Sequence, residues 1–148
     1  MTSKFFRKPK VLNEKGQSLV EVAIALTVIL LLLAGAFDLG SAFFYSITLR
    51  DAAQEGAVYG AINPTDINGI RNRVRQSSSD PLDLVTDPHL HEPEVIVSGA
   101  PCAGGAVTVT LVYDYPISMP LLGSVLNSQT IPLTASVTNT ILSPECVP

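Results

Sequence analysis

The ligand-type side chains of this sequence gather in one short segment, Asp87-Pro88-His89-Leu90-His91-Glu92, which holds both of the chain's histidines. An extended backbone would turn His89 and His91 to the same side, with Asp87 and Glu92 alongside. A metal site needs three or four convergent ligands on rigid elements, and Pro88 and Pro93 mark this segment as an exposed loop. His89 and His91 are therefore weak metal candidates, and no metal or other cofactor is expected. The sequence has no G-x-S-x-G, no phosphate-binding glycine loop and no H-E-x-x-H. No enzyme and no small-molecule substrate are expected. A metal-dependent enzyme built on the two histidines would need a stoichiometric bound metal to support it.

Three other groups carry charge or reactivity. Arg71, Arg73 and Arg75 lie within five positions, and they read as the wet face of an amphipathic helix rather than as an anion site. Cys102 and Cys146 are the only cysteines. Neither belongs to a C-x-x-C pair, so zinc is not expected; an oxidising compartment predicts a disulfide between them, a reducing one two free thiols. Glu21 is the most unusual residue, a carboxylate placed just inside an apolar run, where it needs a partner or an interfacial position.

The elements that position these residues begin with composition. Of 148 residues, 47% are apolar and 15% charged, against about 25% charged in an ordinary soluble domain; the mean hydropathy is +0.36. Lys4, Arg7, Lys8, Lys10 and Lys15 crowd the first sixteen positions beside a single acid, Glu14, leaving four basic against twelve acidic residues in the rest. An acidic distal part excludes a nucleic-acid binder there, and the hydrophobicity argues against disorder.

Val22 to Phe37 carries no charge, and the apolar pattern resumes from Leu39 to Leu49, interrupted by Asp38. No proline stands between Pro9 and Pro64, so one helix from about Gln17 past Tyr59 is the economical reading, its first half in lipid. The cations on its N-terminal side predict that this end stays cytoplasmic and the C-terminal part is exported. Asp38 would fall about 32 Å along the helix from Gln17, near the outer membrane boundary. Cleavage of a secretory signal near Ala34-Gly35-Ala36 and a plain uncleaved anchor are the alternatives.

Beyond the span, Ala53, Ala57 and Ala61 form one small-residue stripe and Ala52, Gly56 and Gly60 another, suited to close helix or sheet approach, with packing on the chain's own sheet favoured over packing on other subunits. Asn63-Pro64 ends the helix. Thr65 or Asp66 can cap a short second helix with Ile67, Ile70 and Val74 on one side. From Glu94 the period becomes two: a strand near Val95–Ser98, a second over Ala106–Tyr115 with Val107, Val109, Leu111, Tyr113 and Tyr115 on one face, and a third over Thr130–Leu142. A short turn at Leu121-Leu122 is expected between the last two. The prediction is α+β: a long N-terminal helix, transmembrane in its first half, packed on a small antiparallel sheet. The organisation reads as a basic cytoplasmic leader (1–16), a transmembrane and spine helix (17–62) and an exported α+β domain (63–148).

Lys15-Gly16-Gln17-Ser18-Leu19-Val20-Glu21 resembles the processing site of type IV pilin-like precursors. The resemblance implies cleavage between Gly16 and Gln17 by a prepilin peptidase, and a Glu21 that neutralises the new N-terminal ammonium. Gln17 departs from the aromatic first residue common in ordinary type IV pilins, and an N-terminal glutamine can cyclise, which abolishes that charge. With Asp38-Leu39-Gly40 and Ala52-Ala53-Gln54-Glu55-Gly56-Ala57-Val58-Tyr59, positions 15–61 resemble the TadE-like pseudopilins of tight-adherence (Flp) pilus systems. That likeness implies a pilin-like architecture and a minor pilus subunit or assembly factor. Its partners would be the peptidase, other pilin subunits, the assembly machinery and the lipid bilayer. The rival is an unprocessed single-pass anchor displaying an adhesive or binding β-domain.

Overall fold

The computed structural model describes residues 14–77, 82–119, 123 and 127–145. Its spine is helix α1 (Glu14–Ile62), 49 residues long and about 73 Å at 1.5 Å per residue. Asn63 still donates its backbone N–H to Tyr59 O at 3.0 Å, and buried Pro64 then stops the helix. Of the two expected caps, Asp66 performs: its Oδ1 accepts the Gly69 N–H at 2.9 Å and opens helix α2 (Ile67–Gln76). A Cβ on Gly69 would stand 2.1 Å from Asp66 Oδ2, so a side chain there would displace the capping carboxylate.

Three strands follow in a meander, β1 (Glu94–Ser98), β2 (Ala106–Pro116) and β3 (Thr130–Thr140), antiparallel in the order β1-β2-β3. Val109 lies opposite Val95 on one side and Val137 on the other, and Leu111 opposite Ala135. The period-two pattern thus puts one apolar face together across all three strands. In the central strand Val107, Val109, Leu111, Tyr113 and Tyr115 are all buried. The opposite face carries Thr108–Thr138 and Thr110–Ser136 hydroxyl pairs at 2.8 and 3.0 Å, a polar cross-strand ladder suited to a wet surface.

The buried face rests on the distal half of α1. Leu49, Ala52, Ala53 and Ala57 join Ile70 and Val74 of α2, Leu82, Leu84 and the inner strand residues in one core. Both small-residue stripes are consumed inside the chain. A Cβ on Gly56 would lie 2.5 Å from Val74 Cγ2, and one on Gly60 would lie 3.0 Å from both Ile70 Cδ1 and Val107 Cγ2. The architecture is the expected α+β arrangement. The turn anticipated at Leu121-Leu122 and most of the basic leader lie outside the described residues.

Candidate functional site

The functional candidates divide between a bare helix and a set of surface pairs on the domain. Every residue from Gly16 to Leu30 is exposed, including Leu19, Ile24, Leu26, Ile29 and Leu30. From Val22 to Leu30 the only polar side chain is Thr27, and an exposed helix of that composition suits lipid better than water. Among the described residues α1 alone is long and apolar enough to cross a membrane, over Gly16–Ile62. Gly16 and Gln17 sit in its first turns. A Cβ on Gly16 would meet nothing within 4 Å, so the glycine is not demanded by packing within this chain. Glu21 is exposed one turn further on, on the same side as Gln17, Val20 and Ile24.

Asp38 behaves differently from what its position on the chain suggests. It is 7% exposed, the one buried charged residue among those described. The connection after β2 folds over it: Met119 donates its backbone N–H to Asp38 Oδ2 at 2.8 Å, and the Tyr115 hydroxyl lies 3.4 Å from Asp38 O. Oδ1 is enclosed without a hydrogen-bond partner among the described residues. Asp38 is therefore turned to its own domain, not to a headgroup layer. Nearby Tyr45 packs between Tyr113 and Tyr115, with ring centroids 5.5 and 5.3 Å apart.

His89 and His91 sit beside β2. Leu90 forms a bridge with Tyr113, His91 N donates to Val112 O at 2.9 Å and Asp114 N to His89 O at 2.9 Å. Relative to the β1 register, this pairing has slipped by one residue around Glu92-Pro93, the signature of a bulge. Each imidazole engages its own carboxylate: His89 Nδ1 is 3.0 Å from Asp87 Oδ1, and His91 Nε2 is 2.9 Å from Asp114 Oδ2. Asp87 also accepts the Tyr113 hydroxyl at 3.0 Å. Among the described residues no three His, Cys, Asp or Glu side chains converge as a metal site would require. Burial, with the Asp87 hydrogen bond added, pushes the Tyr113 phenol well above its ordinary range.

The three arginines are spoken for. Arg71 donates to Pro93 O at 3.1 Å and stands 3.6 Å from Glu92, Arg75 pairs with the same carboxylate, and Arg73 reaches Glu55 of α1 at 3.5 Å. They latch α2 to the start of β1 and to the spine rather than opening toward an anion. Cys102 is disulfide-bonded. The sequence's other cysteine, Cys146, lies outside the described residues.

Sequence reasoning did not anticipate the Asp38–Met119 contact or the Tyr45 aromatic cluster. The available signal was weak: an uncharged, apolar β2–β3 connection that had to meet something, and a tyrosine among phenylalanines on the helix.

Residues 16–58 match the family model for TadE-like protein, the family that the motifs of this segment resemble. The match covers almost all of α1 and stops short of α2 and the sheet. No curated protein and no solved structure matches the chain.

Proposed function

We propose, from the TadE-like match over residues 16–58, that this protein is a membrane-inserted minor pseudopilin of a tight-adherence pilus system. A prepilin peptidase cuts it after Gly16, and it acts by helix-mediated association rather than by catalysis. The observation that carries the reading is the bare half of α1. Residues Gly16 to Leu30 are all exposed, while the other half of the same helix is committed to its own domain. Lipid supplies the missing surroundings, and neighbouring pilin helices supply them during assembly. Cleavage would create an ammonium at Gln17, one helical turn from Glu21, and pairing would remove two uncompensated charges from an apolar medium. The basic leader keeps the N-terminus cytoplasmic, and the acidic sheet domain faces outward.

The test is the N-terminal residue of protein recovered from its native membrane, by intact mass. A start at Gln17 is expected, lost on deleting the peptidase or on Gly16→Leu. Retention of Met1 or Thr2 would overturn the processing and leave an uncleaved anchor displaying the β-domain. A start near Phe37 would mean that a secretory signal, and with it the bare half-helix, is removed.

A further inference from the structure

With α1 read as membrane-spanning, Asp38 lies about 24 Å beyond Val22, inside a hydrocarbon core of about 30 Å. An exposed carboxylate there would be costly. The chain removes it from the helix surface, 7% exposed beneath the Ile117–Met119 segment, with the Met119 N–H on Oδ2. This end of the domain reaches further down the helix still, because the Met119 methyl stands 3.5 Å from where a Cβ on Gly35 would be. Around the rest of the helix at and above this level the exposed side chains remain apolar: Phe37 at 71%, Leu39 at 74%, Phe43 at 68%, with Phe44 and Ile47 beside them. No charged side chain is exposed on α1 between Glu21 and Arg50. The sequence from β2 through β3 is equally free of charge, since no Lys, Arg, Asp or Glu stands between Asp114 and Glu145. An open groove of about 630 Å³, lined by Phe37, Phe44, Tyr45, Tyr115 and Ser118 among others, lies between helix and strand at the same level.

We propose that this end of the sheet domain is seated in the outer face of the bilayer. Lipid covers Phe37, Phe43, Phe44 and the Ile117–Met119 segment, and that segment sheathes Asp38 from the lipid. The apolar surface of the span continues without a break into these residues, and this continuity names lipid as the occupant. The boundary with water on the exposed face of α1 then lies near Arg50, beyond Asp38. The inference rests on the membrane reading of α1, and its test separates the two.

The chain contains no tryptophan, so single tryptophans report depth without background from others. Full-length protein is reconstituted in phosphatidylcholine vesicles containing lipids brominated near the headgroup or deep in the acyl chain. Four exposed positions are used: Leu26→Trp, Phe43→Trp, Ser118→Trp and Gln54→Trp. Leu26→Trp should be quenched by the deep bromines. Phe43→Trp and Ser118→Trp should lose at least half their emission to the shallow bromines and be protected from aqueous acrylamide. Gln54→Trp should be quenched by acrylamide alone. If Phe43→Trp and Ser118→Trp follow Gln54→Trp while Leu26→Trp is quenched by lipid, the span stands and the seated domain is overturned. Protection of Phe43→Trp from both quenchers would assign that surface to a second copy and likewise overturn the proposal. Failure of lipid to quench Leu26→Trp would overturn the membrane reading itself, and the proposal with it.

Discussion

The two halves of α1 are continuous in backbone and opposite in environment. From Gly16 to Leu30 every side chain is exposed, whereas Leu49, Ala52, Ala53 and Ala57 are essentially inaccessible. The bare half uses large aliphatics, Leu, Ile and Val, which fill space against a fluid neighbour. The sheathed half uses alanine and glycine, which let a second helix and a sheet approach the backbone. One helix thus contains two solutions to burying apolar surface. One leaves the neighbour to be supplied from outside the chain, and the other builds it into the fold.

Substitutions that separate the halves sharpen this contrast. Leu111→Ala, at the centre of the sheet's buried face, should cost about 2–5 kcal/mol of domain stability. Leu26→Ala in the bare half should leave the domain's unfolding unchanged; denaturant melts of the detergent-solubilised chain compare them. Equal losses would mean that the bare half is part of the same folding unit. Gly56→Ala forces a methyl to within 2.5 Å of Val74 Cγ2 and should destabilise by about 1–3 kcal/mol. Gly40→Ala meets nothing within 4 Å and should be neutral or stabilising by up to about 1 kcal/mol, from helix propensity. Thermal melts of the pair decide whether small residues are needed for packing only on the sheathed side.

A smaller effect is expected at the turn between α1 and α2. Asp66 holds the Gly69 N–H and accepts the Tyr59 hydroxyl at 2.9 Å. Asp66→Ala should cost about 1 kcal/mol through the lost cap, read as a lowered denaturation midpoint with an unchanged slope.

The least effect concerns alkaline pH. The Tyr113 phenol is raised in the folded state. Its contribution is complete below the ordinary phenol range and is lost as pH climbs toward the folded value, because only the unfolded chain ionises readily. Burial raises the neighbouring Tyr115 phenol as well, so absorbance at 295 nm should show tyrosines that ionise only with unfolding, and Tyr113→Phe should reduce that step and remove its share of the alkaline loss of stability. Loss, on Tyr113→Phe, of a phenol that titrates in its ordinary range within folded protein would instead place Tyr113 in contact with water.

Much of the domain was legible because strand periodicity survives in the sequence. Val107, Val109, Leu111, Tyr113 and Tyr115 alternate with Thr108, Thr110 and Asp114, and the sheet buries the first set. Asn63-Pro64 stopped α1 where backbone sterics demand. The histidine segment was less legible. Whether His89 and His91 converge depends on the bulge at Glu92-Pro93 and on Asp87 and Asp114 competing for them one by one, and spacing in the chain encodes neither. The arginines read correctly as the polar side of α2, yet their partner Glu92 lies across a turn of chain that only folding closes.

The sequence by itself determined the long helix, its apolar half, the charge asymmetry across it, the Gly16–Glu21 spacing and the three alternating strands. Each of these is local, written in residues a few positions apart, so propensity and hydropathy suffice to read it. Only the tertiary structure decided that both small-residue stripes face the chain's own domain and that each histidine keeps its own carboxylate. It alone placed Asp38 beneath residues 81 positions away, with Met119 donating to it. Pairings at that separation depend on how the sheet settles on the spine. The energy of packing sets that placement, and no short stretch of sequence carries it.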